Sequence, residues 1–127
     1  NGLGVLYTNQ KNTGKAIEIY KKGIENIHDS FTLRYELALI YCNHMNDYDE
    51  CEKEILLSIE SNKHYSKGYL TLFDMYAVFD RKEDLKILFS KYLENSGKSN
   101  EEIKKEINSS EWVANKEKII NIIYESK

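Results

Sequence analysis

Three side chains near the middle of the chain, Cys42, His44 and Cys51, are of the types that bind metals or act as nucleophiles and redox centres. A thiolate and an imidazole two residues apart make half of a zinc site. Closing such a site takes four ligands at familiar spacings, and here the fourth is missing. Cys51 has a simpler reading as a small residue where two helices cross. Two cysteines are too few for a disulfide framework and suit a reducing compartment, so a cytoplasmic location is expected. A second cluster, "NDYDECEKE", gathers Asp47, Asp49, Glu50, Glu52 and Glu54. It opens as D-x-D but lacks the glycine and spaced oxygen ligands of a calcium loop. A helix N-terminus attracts carboxylates through its dipole, which accounts for the first three acids without an ion. The opening "GLG" follows no strand and leads into a helical pattern, so it is not read as a phosphate loop. His28 and His64 fall at turns, where solvated surface residues are expected. No Cys/His or Ser/His pair stands in a recognisable catalytic setting. The expectation is a protein that is not an enzyme and needs no metal or cofactor.

The elements that carry these residues follow from composition and periodicity. The 127 residues are 41% apolar and 12% aromatic, enough for one ordinary domain with a core despite 31% charge. Net charge is -3, and only two of the 18 basic residues, Arg34 and Arg81, are arginines, which argues against nucleic acid as partner. No apolar run approaches the roughly 18 to 20 residues of a membrane span, and no basic-then-apolar leader opens the chain. Residue 1 is Asn rather than Met, so a processed chain or a piece of a longer one is expected.

The chain repeats itself. Leu3, Gly4, Tyr7, Ala16, Tyr20 and Gly23 are followed by Leu37, Ala38, Tyr41, Cys51, Ile55 and Ser58, then by Leu72, Phe73, Tyr76, Leu85, Phe89 and Tyr92. The intervals are 34 or 35 residues, and one extra residue lies in the turn between Tyr41 and Cys51. Within each half-repeat the apolar spacing is helical: Leu33, Leu37, Ile40 and Tyr41 in one, Leu85, Leu88, Phe89, Tyr92 and Leu93 in another. Asp47 with Glu50 and Asp80 with Glu83 read as capping-box starts, and Ser96-Gly97 as a stop. Helices are predicted at 2–9, 13–27, 31–43, 47–61, 66–79 and 82–95. Small residues at Gly4, Ala38, Ala16 and Cys51 would let paired helices approach, with Tyr and Leu filling the flanks.

"LGVLY" with "AIEIYKKG", "LALIY" with "CEKEILLS", and, more weakly, "LFDMY" with "LKILFSKY" resemble the tetratricopeptide repeat, whose pattern is Leu-Gly-x2-Tyr then Ala-x3-Phe in a 34-residue unit. The resemblance covers about residues 1 to 95. It departs from the family in having no Pro, in Arg34 and Tyr69 where the early Trp belongs, and in bulky Phe73 and Leu85, which should spread the third pair. It implies an all-α fold: a right-handed α-α superhelix, a solenoid of antiparallel helix pairs. The organisation would be three units over 1–95, the first truncated at its N-terminus, and C-terminal capping helices over 96–127. It also implies a concave face lined by the first helix of each pair. On this chain that face carries Val5, Thr8, Asn9, Tyr35, Leu39, Cys42, Asn43, Lys67, Leu70, Thr71, Asp74 and Ala77. Such a mixed apolar and amide lining suits a peptide, with Asn9 and Asn43 for its backbone and Tyr35 as anchor. Any one of these side chains has an equal claim to mere packing between helices. Of the positions at which some family members clamp a terminal carboxylate, only Lys67 fits; Asn1, Val5, Glu36 and Thr71 do not.

Beyond residue 95 the period breaks. Ser99 and Glu102 form a capping box before "NEEIKKEIN". "SEWVANKEKIINIIYESK" sets Trp112, Lys116, Ile119, Ile120, Ile123 and Tyr124 along one helical side, expected to cover the open end of the stack. The function expected is a non-catalytic protein-protein interaction module that binds a peptide or protein segment, with no nucleic acid or membrane partner. The alternative is an accessory domain of a larger enzyme or peptide-sensing regulator, forming a homodimer through the C-terminal helix.

Overall fold

The computed structural model describes residues 13–26 and 30–124, which form seven helices joined by turns, with no strand among the described residues. The chain divides into two units, Asn1–Asn62 and Lys63–Lys127. In the first lie α1 (Thr13–Asn26), α2 (Phe31–His44) and α3 (Tyr48–Ser61). The second holds α4 (Ser66–Val78), α5 (Lys82–Ser96), α6 (Asn100–Ser109) and α7 (Lys116–Tyr124). The first five match the predicted helices to within a residue or two; the helix predicted at 2–9 falls outside the described residues.

Among the described residues, the small residues at the expected crossings are buried. In the first unit Ala16, Ala38 and Cys51 are wholly buried, beside Leu37, Ile55 and Ile59. A β-carbon added at Gly23 would stand 3.1 Å from Leu33 Cδ1, so an alanine there would need the Leu33 side chain to give by a few tenths of an ångström. Two polar pairs lock the helices: Tyr20 donates to Glu36 (2.9 Å) and Arg34 to Glu54 (3.1 Å), with the Glu54 side chain 9% exposed.

In the second unit the same repeat positions hold larger groups. Phe73 and Leu85 are fully buried, and α4 and α5 approach each other closely at fewer points than α2 and α3 do. Rings fill the space: Tyr69 stacks on Tyr92 at 4.3 Å, and Phe73 meets Tyr92 edge-on at 6.1 Å. Onto this pair α7 packs, against both α4 and α5. It buries Ile119, Ile122 and Ile123, and its Tyr124 ring meets Phe89 at 5.8 Å. Each such aliphatic side chain, fully buried, contributes roughly 1.5–3 kcal/mol.

Two readings of the helix ends are corrected. Asp80 does not start α5. Its φ of 59° makes it the left-handed stop of α4, where Asp80 N–H bonds Ala77 O (3.2 Å) and Arg81 N–H bonds Tyr76 O (2.8 Å). That double bond is the Schellman pattern, and Asp tolerates it through its short polar side chain. Trp112 is not on a helix. It is 46% exposed in a turn before α7, and its neighbour Val113 is the buried residue. Other signals hold: Asp47 accepts from Glu50 N–H (3.2 Å), and Ser99 and Glu102 cap reciprocally (3.1 and 2.8 Å). Gly97 ends α5 at φ +72°, a conformation that costs other residues about 1–2 kcal/mol. No helix among the described residues is long and apolar enough to cross a membrane.

Candidate functional site

On α2, Leu39 is half-buried and Asn43 exposed, one turn apart, while Tyr35 is only 8% exposed. The turn after Asn43 widens into an open groove of about 490 Å³ lined by Thr13, Gly14, Asn43, His44 and Met45. Met45 is 49% exposed, so the groove offers an amide, an imidazole and a soft apolar side chain together. Its wall is held by the connection that follows. Asn46 is left-handed (φ 52°), Asp47 N–H reaches back to Tyr41 O (2.9 Å), and Tyr48 OH bonds Asn46 Oδ1 (3.2 Å).

The cysteines beside this groove are not thiols. Cys42, in the last turn of α2, is bonded to Cys51, in the first turn of α3, across a Cα–Cα distance of 5.4 Å. The expectation of two reduced cysteines is thereby corrected, and Cys42 cannot pair with His44 as a metal ligand. Cys51 is both a small crossing residue and half of the bridge. An antiparallel hairpin brings the end of one helix beside the start of the next, so Cys42 and Cys51 were already readable as facing each other. Among the described residues no three His, Cys, Asp or Glu side chains group to hold a metal.

In the second unit the expected face fares differently. Lys67 is exposed and Thr71 half-buried, but Leu70 is 2% exposed and Ala77 fully buried. Asp74 is committed internally. Its carboxylate accepts from Ala114 N–H (3.3 Å), Asn115 N–H (2.9 Å) and Asn115 Nδ2 (2.8 Å), just ahead of α7. Asp74 therefore anchors the entry to α7, and a ligand would have to displace that segment to reach it. Val5 and Asn9 lie outside the described residues.

The densest cluster of reactive side chains lies where periodicity gave no hint. Tyr92 OH donates to Glu106 Oε1 (2.7 Å), so the 2.8 Å contact with Ser66 Oγ has the serine as donor. Lys98 Nζ donates to Tyr92 OH (3.0 Å), to both Glu106 oxygens (3.0 and 3.1 Å) and to Ser66 Oγ (3.4 Å). Burial pushes the Tyr92 phenol above its ordinary value, and the Glu106 carboxylate adds to this against the bonds from Ser66 and Lys98. Burial draws the Lys98 ammonium down, but its bonds to Tyr92 and Glu106 outweigh that and hold it above the lysine range. A Ser–Tyr–Lys set could relay protons in an open cleft. Here Tyr92 is completely buried, and the set ties the start of α4, the middle of α5 and α6 together. Tyr92 occupies the apolar repeat slot, and nothing in its spacing announces partners for its hydroxyl.

No family model matches the chain, and no curated protein or solved structure matches it.

Proposed function

We propose that this chain is a non-catalytic interaction module that takes a peptide or protein segment against α2. The site is the groove lined by Thr13, Gly14, Asn43, His44 and Met45, with half-buried Leu39 one turn before Asn43 on α2. The observation that carries the reading is this combination of an apolar contact, an amide able to bond a peptide backbone, and an open groove on a wall stiffened by a disulfide. The repeat positions support a tetratricopeptide-like solenoid: Ala16, Cys51 and Leu85, like Ala38 and Phe73, are all fully buried. In that arrangement the first helix of each pair would face the ligand. Within the second unit the reading rests on exposed Lys67, since Asp74 is taken by Asn115. The disulfide favours an oxidising environment; a cytoplasmic location would keep both sulfurs as thiols.

Peptides selected from a random display library on the oxidised protein supply the test. Their affinity should fall about tenfold for Leu39→Ala combined with Asn43→Ala, as expected when anchor contacts are lost. Selected peptides that bind this double variant unchanged would remove the groove from consideration. The accessory or dimerising alternative has less to work with, because Ile119, Ile122 and Ile123 are spent inside their own unit. Self-association would fall to apolar side chains left exposed, such as Ile87 and Trp112.

A further inference from the structure

A second surface lies on the first unit, away from the residues assigned above. Asp49, Glu52, Lys53, Leu56, Leu57 and Glu60 line an open groove of about 390 Å³ along α3. They recur at the i, i+3, i+4, i+7, i+8, i+11 spacing of a single helical stripe, about 16 Å from end to end at 1.5 Å per residue. Leu56 is 37% exposed, and most of the groove's surface is apolar. Carboxylates flank it at both ends, Asp49 and Glu52 at one and Glu60 at the other. The one cation on the stripe, Lys53, leans toward Glu50 off the stripe (3.8 Å).

We propose that this groove docks a cationic amphipathic helix of a partner protein, its aliphatic side chains on Leu56 and Leu57 and its Lys or Arg residues against Asp49, Glu52 and Glu60. Charge decides the class of occupant. An anionic lipid surface or a nucleic acid would meet three carboxylates and be repelled. A second copy of this chain, meeting the stripe about a two-fold axis, would set the same acids against each other. A helix with an apolar face and basic flanks satisfies both features at once. The stripe's length corresponds to about three turns of such a helix.

The probes are three fluorescein-labelled synthetic helices of about 14 residues, long enough to cover the stripe. One has a Leu face with Lys flanks, one the same Leu face with Glu flanks, and one Ser in place of Leu with Lys flanks. Anisotropy titrations use the oxidised full chain. The Leu/Lys peptide should bind, and the other two should bind at least about tenfold more weakly, since each lacks either the charge or the apolar match. Leu56→Ser should cost the Leu/Lys peptide roughly tenfold, and Glu52→Lys with Glu60→Lys a similar factor that shrinks as salt is raised. Both changes lie on exposed or half-exposed positions, and far-ultraviolet circular dichroism checks that the helices survive. The control, Glu94→Lys with Glu111→Lys in the second unit, changes net charge equally and should leave binding within about twofold, as distant exposed charges are screened. Equal binding of the Leu/Glu or Ser/Lys peptide, indifference to Leu56→Ser, or an equal loss in the control would each overturn the proposal. Leu39→Ala with Asn43→Ala should not alter this binding, so the two surfaces stand or fall separately.

Discussion

The same junction of the repeat is built twice, once in each unit, with different chemistry. In the first, the Ser58 hydroxyl donates to Phe31 O (2.6 Å), joining the late part of α3 to the start of α2. In the second, the residue 34 places on is Tyr92, and it meets Ser66, which stands 35 places after Phe31. A hydroxyl therefore joins equivalent positions in both hairpins. Serine is short, and its one bond stays within the hairpin. The Tyr92 ring carries its oxygen several ångströms further, where Lys98 and Glu106 can reach it and bind α6 to the pair. A helix that must carry additional elements spends its repeat slot on an attachment. One that need not can spend it on a close crossing.

Staples differ in the same way. The first unit is closed by a covalent bridge at its turn, and the Arg34–Glu54 ion pair pins α2 to α3. The second has no bridge and relies on stacked rings, the Lys98 cluster and the Asp74 anchor. Among the described residues no buried side-chain nitrogen or oxygen lacks a hydrogen-bond partner, so both solutions are complete.

The sharpest way to break this contrast is to cut the bridge. Reduction, or Cys42→Ser with Cys51→Ser, should destabilise the first unit by about 2–3 kcal/mol, the loop-closure value for a bridge spanning roughly ten residues. Hydrogen exchange across α2 and α3 should speed up while α5 to α7 keep their protection. An equal loss in both units would mean that they unfold as one. A smaller effect is expected from Tyr92→Phe, which keeps the ring stack and removes the hydroxyl. It should cost roughly 1–2 kcal/mol, since Lys98 and Glu106 still pair with each other. Urea denaturation followed by exchange should localise the loss to α4, α5 and α6. Smaller again, near 1 kcal/mol, is Asp74→Ala, which leaves the amides ahead of α7 to water. Protection at the start of α7 is its readout, and unchanged protection there would deny Asp74 its anchoring role.

Alkaline pH probes the second unit without mutation. Tyr69, Tyr92 and Tyr124 are all raised above 10.0, chiefly by burial, and Lys98 is raised above 10.5 by its partners against the pull of burial. For each, the folded value exceeds the unfolded one. Their contribution is therefore whole below the unfolded values and is lost as pH climbs from about 10 through the folded ones. All four lie in the second unit. Stability of α4 to α7 should be flat from neutral pH to about 9.5 and then fall. Tyr92→Phe should blunt the fall.

Five helices with nearly their full limits, the stop at Gly97 and the Ser99–Glu102 box were legible from residues near one another in sequence. They depend on local spacing, on backbone dihedrals and on bonds that span three or four positions. The apolar slots of the repeat were legible too, because burial follows the helical period. Asp80 was misassigned since a carboxylate can equally begin one helix or end another, and only the bonds to Ala77 and Tyr76 decide between them. The fate of Asp74 and the partners of Tyr92 were out of reach, for they depend on where residues 98–115 return, some 6 to 41 positions later. The bridge between Cys42 and Cys51 lay between these cases: the hairpin put the two sulfurs near each other, but composition alone argued for thiols. Sequence determined which faces of each helix turn inward, because that is a matter of period and transfer free energy. Tertiary structure alone decided which polar groups remain for a partner, because a hydroxyl or carboxylate is spent only when another chain segment arrives within about 3 Å to take it.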